Sequence, residues 1–331
     1  MSPLSYIRRF RDLQKTYTGS PSNFAFLFYL ADYILSFVIH GASFFDYFAY
    51  DFYKSRNKRK KDFITYRRHK KIQKICNPDR NEILICRDKR AFNNRFSPYI
   101  QRKWLDVDKS TYEQFHNFIN TSKGKIFIKG ADGFCGNDVR SEIKENINPE
   151  RLYRELQSKG NYIIEEGIRQ SKELSEFNPT SVNTIRITTI YDPNIDKVYI
   201  MKANIRIGRK NSDIDNLHAG GLAAHIDINT GIIYSPAYDK NNNFFIYHPD
   251  SKKQIVGYQI PFWEECKKFV VEAAKSLPGV RYIGWDIVAM EKGNFCLIEA
   301  NDNADHDIQQ LNGKGLWKEY KTILNTLKLL K

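Results

Sequence analysis

Cysteine is sparse and unpatterned. The five residues, Cys76, Cys86, Cys135, Cys266 and Cys296, are odd in number, scattered and never spaced as CxxC. That excludes a disulfide framework and a thiolate zinc site, and it fits a reducing cytoplasm. No GxxxxGKS or GxxxxGKT run occurs, so a Walker A phosphate loop is excluded. His218 has no second histidine at ligand spacing, which favours a hydrogen-bonding or base role in its loop over metal binding. Long uncharged apolar runs are missing too. The aromatic-rich stretch 24–53 is interrupted by Asp32 and Asp46 and falls short of the roughly eighteen residues that a membrane span needs. Buried helices are expected there, with docking on a membrane surface as the alternative. Arg8, Arg9 and Arg11 are not followed by an apolar core and a small-residue cleavage site, so no signal peptide is expected.

Acid is also in deficit: 38 Asp and Glu stand against 52 Lys and Arg, a formal charge of +14. Such a chain attracts polyanions, whether nucleotides, charged sugars, nucleic acid or an anionic membrane face. The excess is densest over residues 54–74, from Lys54, Arg56 and Lys58 to Lys70, Lys71 and Lys74. Phe63, Ile64, Tyr66, Ile72 and Ile75 are interleaved there as a buried stripe would be, so a solvated helix face is expected. With 331 residues, 41% hydrophobic and 14% aromatic, the chain can build two or three lobes around sizeable cores.

Residues 1–80 read as mostly helical. A short apolar strand, Ile83 to Cys86, is expected before a helix opened by Asp88-Lys89. The strand Ile126-Phe127-Ile128 delivers Lys129 into a loop holding Gly130, Gly133 and Gly136. Glycines let backbone N–H groups surround an oxyanion while lysine supplies a point charge, although a glycine-rich hairpin turn has the same composition. Asn148-Pro149 reads as the start of a helix closed by Gly160. A strand, Tyr162 to Ile164, leads into Glu165-Glu166-Gly167-Ile168. Two strong strands, Thr184 to Tyr191 and Lys197 to Ile207, project Asn183, Arg186, Lys202, Asn204 and Arg206. The polar loop Asp215 to Gly221 carries Asn216 and His218, and a strand from Leu222 to Ile228 follows. A helix is expected from Phe262 to Ser276 and an amphipathic one over 315–331.

Residues 284–302, GWDIVAMEKGNFCLIEAND, read as two strands, Trp285 to Met290 and Phe295 to Ala300, joined around Lys292-Gly293-Asn294. Period-2 alternation puts Glu299 and Asn301 on one side of an extended backbone, and hairpin closure brings Asp286 to them. Two carboxylates and an amide suit Mg²⁺, a hard cation that completes its shell with water and phosphate oxygens. A solvated acidic hairpin end is the plain alternative.

The spacing of Asp286, Glu299 and Asn301 resembles the magnesium-ligand signature of the ATP-grasp superfamily. Lys89, Lys129 before a glycine loop, the strand ending in Glu165-Glu166-Gly167-Ile168 and the strand bearing Arg186 stand in that superfamily's order. The segments Asn178 to Arg186, Asp215 to Gly221 and Tyr282 to Asp286 are similar to those of the sugar-transfer-associated ATP-grasp family, found with genes for bacterial surface polysaccharides. The resemblance covers residues 40–325.

It implies an α/β (α+β) fold of two lobes gripping a nucleotide: a helical region over 1–80, a small lobe over 81–165 and a large lobe over 166–331. It further implies that Lys89, Lys129 and the 130–136 loop, with Gly130, Gly133 and Gly136, contact ATP phosphates. Glu165, Glu166 and Ile168 would hold adenine at an inter-lobe hinge. Asp286, Glu299 and Asn301 would bind Mg²⁺, with Mn²⁺ as a substitute. Arg186 and Arg206 would offset phosphoryl charge, and Asn183, Asn216 and His218 would meet the acceptor, His218 also serving catalysis. Gly284 departs from the D-alanine ligases, which carry an arginine there, so that task would fall to Arg206, Arg281 or another group.

The implied activity is a carboxylate–amine ligation through an acylphosphate on a uronic acid or amino acid of a surface polysaccharide. The partners would be nucleotide, acceptor, amine donor and, peripherally, the inner membrane face or polysaccharide-synthesis machinery, with no nucleic acid. The alternatives are an ATP-grasp kinase making a phosphate ester and a non-catalytic polyanion- or membrane-binding protein.

Overall fold

A computed structural model of the chain describes residues 3–19, 22–54, 57–132, 139–209, 212, 215–217, 220–241, 243–311 and 314–330. Its smaller sheet comprises β1 (Trp104–Asp106), β2 (Lys125–Gly130), β3 (Val139–Ile143) and β4 (Tyr162–Glu166), in the antiparallel order β1-β4-β2-β3. Two helices cover it, Tyr112–Thr121 and Pro149–Lys159, packing Phe115, Phe118, Leu152 and Leu156 onto Ile126, Ile128 and Ile164. Both start at a side-chain cap. Thr111 and Gln114 form a capping box, and Asn148 accepts from the Arg151 N–H just ahead of Pro149.

The larger sheet comprises β5 (Ile185–Asp192), β6 (Lys197–Ile207), β7 (Leu222–Ile226), β8 (Ala237–Tyr238), β9 (Phe244–Phe245), β10 (Tyr282–Ala289) and β11 (Phe295–Asn301). Its order is β11-β10-β5-β6-β7-β8-β9. Alternation divides the work of β10 between its two faces. Ile283, Trp285, Ile287 and Ala289 pack into the core that also takes Trp263, Cys266, Val270, Ala273 and Ala274, the helically spaced inner stripe of the helix Trp263–Lys275. Tyr282, Gly284 and Asp286 turn to the opposite face, where Tyr282 packs with Tyr320 and Leu324 of the helix Trp317–Thr326.

Register then lays one polar row across five strands. Glu299 lies opposite Asp286, Asp286 opposite Arg186, Arg186 opposite Asn204, and Asn204 opposite His225. Between Asp286 and Ile287 the pairing with β11 slips, so that Leu297 pairs Ile287 while Glu299 pairs Asp286. Without this bulge at Ile298, Leu297 and Glu299 would share a face. With it, the leucine enters the core and the carboxylate joins Asp286.

Residues 83–86 are a correction. Instead of a strand they lie in the helix Arg80–Arg87, because the Asp79 side chain accepts from the N–H groups of Asn81 and Glu82 and nucleates a first turn. Phe92, Phe96 and Ile100, just beyond it, pack into the core of the larger sheet and not with the smaller one, so the stretch 81–100 belongs structurally with the large lobe.

The first region is helical as expected, with α1 (Pro3–Thr18), α2 (Asn23–His40) and α3 (Phe44–Ala49). Phe10, Phe26, Tyr47 and Phe48 form an aromatic cluster that continues through Ala223 and Tyr238 into the larger sheet. Two expectations fail here. Much of α2 is exposed, including Phe24, Leu27 and Leu35. Lys60, counted in a solvated basic face, is instead 1% exposed, its Nζ donating to both Asp32 oxygens (2.9 and 2.8 Å) and to the Ser36 hydroxyl (3.1 Å). Lys60→Met strands the Asp32 carboxylate on the inner side of α2 and is expected to cost about 1–3 kcal/mol in urea unfolding.

Candidate active site

A cavity of about 200 Å³ lies between the two sheets. The smaller sheet and the preceding helix bring Lys89, Phe92, Phe127, Lys129 and Val139 to it, the larger sheet brings Arg206, Asp286, Ile298 and Glu299, and Thr184 comes from the loop just before β5. Cations therefore face carboxylates across an opening whose remaining walls include aromatic and aliphatic surface.

On the cationic side, the Lys89 ammonium donates to the Gly130 carbonyl (2.7 Å) and its backbone N–H to the Ala131 carbonyl (2.8 Å), tying the start of the helix Lys89–Arg95 to the end of β2. Burial, and then the neighbouring charge of Lys129, pushes the Lys89 ammonium below the ordinary lysine range. Two crowded cations at one cavity wall are stabilised by a bound anion. Lys129 donates to Glu165 Oε2 (2.6 Å).

Glu165 is where the structure corrects the sequence. The residue is 2% exposed and its carboxylate accepts from Lys129, from Arg102 Nη2 (3.0 Å) and from Asn93 Nδ2 (2.9 Å). Burial alone would raise its pKa, but Arg102 and Lys129 outweigh that and hold the carboxyl well below the usual range. The Glu165 side chain lines the cavity, but as a partner that holds Lys129, Arg102 and Asn93 in place there. Arg102 also donates to the Leu297 carbonyl of β11 (2.6 Å), so a buried guanidinium joins the two sheets beside the cavity. Glu166 turns its carboxylate to the Lys123 N–H (2.8 Å), and Glu165, Glu166 and Ile168 all line the cavity.

On the acidic side, Asp286 is fully buried and its oxygens accept from Arg186 Nε, Arg186 Nη2 (2.9 Å) and Arg206 Nη2 (2.8 Å). Arg186, 3% exposed and absent from the cavity wall, positions Asp286; the expectation that it meets a phosphoryl group is not met. Gly284 makes this possible, since a Cβ there would sit 3.0 Å from Ala304 Cβ and 3.2 Å from Arg186 Cδ. Arg206 does reach the cavity, with its Nε donating to Thr184 Oγ1 (2.9 Å), whereas Arg281 is not on its wall.

Glu299 carries the clearest mark of a cation site. It lines the cavity directly opposite Asp286, and among the described residues no hydrogen bond forms to its carboxylate. Burial first, then the charge of Asp286, raises its pKa above the usual carboxylate value. Arg186, Arg206 and Lys89 offset this only in part, and a carboxylate in that setting, beside a second one, fits a hard divalent ion. Asn301 lies one row further along the sheet, its Nδ2 donating to the Gly284 carbonyl (3.3 Å), and is not on the cavity wall.

Of the expected acceptor contacts, Asn216 lines the cavity. Asn183 does not: it is fully buried, with Nδ2 donating to Gln170 Oε1, Leu174 O and Asn178 O and Oδ1 accepting from the Gly208 N–H, which consumes the side chain in loop structure. Gly133, Gly136 and His218 lie outside the described residues. Sequence reasoning missed Arg102 and Asp215. Asp215 accepts from the Thr184 N–H (2.8 Å) and hydroxyl and lies 3.7 Å from Arg206, within a loop already singled out for Asn216.

A family model described as sugar-transfer associated ATP-grasp matches residues 70–325. No curated protein matches the chain. Among solved structures, ATP-grasp ligase PsnB complexed with a minimal precursor is 17% identical with a TM-score of 0.43, over 76% of this chain and 63% of that one. VanG D-Ala:D-Ser ligase from Enterococcus faecalis is 10% identical with a TM-score of 0.46, over 74% and 63%. The D-alanine–D-alanine ligase from Bacillus anthracis is 12% identical with a TM-score of 0.38, over 67% and 58%. The chain spans less than two thirds of the length of each of these structures.

Proposed function

Because the chain belongs to the sugar-transfer associated ATP-grasp family, we propose that it is an ATP-dependent carboxylate–amine ligase. The γ-phosphoryl group of ATP passes to an acceptor carboxylate, and an amine then displaces phosphate from the acylphosphate to leave an amide. The observation that supports this most is the single cavity holding Lys89 and Lys129 opposite Asp286 and Glu299.

In this reading Lys129 of the smaller sheet and Lys89 of the helix Lys89–Arg95 bind the triphosphate, and Phe92, Phe127 and Ile168 supply apolar surface for the base. Asp286 and Glu299 would hold Mg²⁺, which when bound neutralises charge on phosphate oxygens. Arg206, anchored by Thr184 and Asp286, places a fixed guanidinium at the wall where negative charge develops. Positioning and charge stabilisation supply most of the rate in such a transfer.

The acceptor would be anionic. A groove of about 510 Å³, sharing Arg87 with the ATP cavity, is lined by Lys70, Lys74, Gln73 and Asn77 and also by Asp302, which pairs with Arg87, so that Lys70 and Lys74 supply its excess positive charge. The two lysines there suit a uronic acid or amino acid carboxylate, and the sugar-transfer association of the family is the support for proposing a surface-polysaccharide role.

Hydroxylamine trapping tests the chemistry: candidate acceptors with ATP should yield hydroxamate and ADP, whereas a phosphate ester resistant to hydroxylamine would make the enzyme a kinase. Lys89→Met removes one charged contact to phosphate and is expected to raise the KM for ATP roughly tenfold or more in that assay.

A further inference from the structure

The helix α2 is built the wrong way round for a water-facing surface. Phe24, Leu27, Phe28, Ile34, Leu35 and Val38 recur at three- and four-residue spacing and are between 52% and 86% exposed. Ala31, also exposed, completes the stripe, which runs about 21 Å without a polar residue. The polar groups in the middle of α2 point inward: Asp32 accepts from Lys60 and from the Tyr47 hydroxyl (2.8 Å), and Ser36 accepts from Lys60. A helix facing water puts its apolar stripe toward the core and its charge outward.

Cations border the stripe at both ends. The Arg11 guanidinium lies 4.7 Å over the Phe26 ring, and that of Arg67 lies 5.3 Å over the Phe37 ring. Arg8, Arg9, Arg11 and Lys15 are all exposed on α1, where Leu4 (78%) and Ile7 (47%) extend the apolar surface.

We propose that α2 and the first turns of α1 dock this protein on an anionic lipid bilayer, lying in the interface with the apolar stripe at the boundary of headgroups and acyl chains. Uncharged surface framed by arginine is the pattern that binds there. A second copy of the chain fits worse, because pairing the two stripes would bring the α1 arginines of both copies together. Crossing the bilayer fits worse as well. Asp32 is held by Lys60 and Tyr47, and Phe26, Tyr29 and Tyr33 pack in the aromatic cluster, so insertion would break the inner face of α2.

The test is co-sedimentation of the full chain with phosphatidylglycerol–phosphatidylcholine vesicles against phosphatidylcholine alone, at low and high salt. Preferential, salt-sensitive binding to the anionic vesicles is expected. Phe28→Ser/Leu35→Ser should lower the partition coefficient at least about tenfold. Arg8→Gln/Arg9→Gln should remove much of the preference for anionic lipid. Both substitution pairs are on exposed positions, and unchanged thermal melts will show that the fold survives. No binding to anionic vesicles, or equal binding by the serine variant, overturns the proposal. So does a sedimentation-equilibrium dimer that the serine substitutions dissociate, which would make a second copy the occupant. Vesicle-bound protein that resists alkaline carbonate extraction would overturn it in favour of a span.

Discussion

Glu299→Gln is expected to lower ATP turnover by roughly 100-fold or more, the scale on which losing a charge-stabilising group acts in phosphoryl transfer, while leaving the metal-free protein as stable as before or more so. The two halves of that expectation share one cause. The Glu299 carboxyl has a raised pKa because burial and the charge of Asp286 both oppose its ionisation. A carboxyl whose folded-state pKa lies above its unfolded value loses stability as pH rises through that range, so near neutrality the charge is a burden on the free fold. Glutamine keeps the shape and removes the burden, and it also removes the charge that would make a cation welcome. Thermal melts with EDTA, with Mg²⁺ and with Mg²⁺ plus a non-hydrolysable ATP analogue separate these effects. The wild type should gain stability from metal and nucleotide, and Glu299→Gln should gain little from either.

Arg102→Met should be the most destabilising substitution next to the site, by about 3–5 kcal/mol, since removing one partner of a buried ion pair leaves the other uncompensated. Arg102 and Glu165 have side chains each 3% exposed, and Arg102 additionally bonds Leu297 O of the opposite sheet. Lys129 remains to offset part of the Glu165 charge, which keeps the loss from being larger. Replacing Arg102 and Glu165 together by methionine should cost less than Arg102→Met alone, because it removes the stranded charge. Chemical denaturation of the two variants measures both numbers. A double variant less stable than the single one would mean that Glu165, still paired with Lys129 and Asn93, is not left as an uncompensated charge when Arg102 is removed.

The parts of the site visible from sequence are those set by local periodicity. Trp285 to Met290 and Phe295 to Ala300 read as a hairpin because apolar residues alternate around a glycine turn, and the adjacency of Asp286 and Glu299 followed. The bulge at Ile298 that puts Glu299 on the correct face was not legible, since one extra residue leaves no mark on composition. The run Ile83 to Cys86 misled because four apolar residues suit a strand or a helix equally; the deciding signal was Asp79, a capping side chain four residues upstream.

Arg186, Asn183 and Glu165 were assigned to ligands because their side chains can bind them. In the fold each meets a partner from a distant segment first: Asp286, the loop around Gln170, and Arg102 with Lys129. Lys60 shows the same limit, since the partner that buries it, Asp32, lies two helices earlier. Hydrophobicity identified α2 as a helix, but it carries no information on which side the core lies.

Calorimetric titration of a non-hydrolysable ATP analogue into wild type and Glu299→Gln, each with Mg²⁺ and with EDTA, tests the central claim most directly. Metal-dependent binding by the wild type, lost in Glu299→Gln and weakened in Lys89→Met, is the predicted result. Equal affinity in all these conditions, or no binding by the wild type with Mg²⁺ present, would contradict the assignment of the cavity to a metal-bound nucleotide.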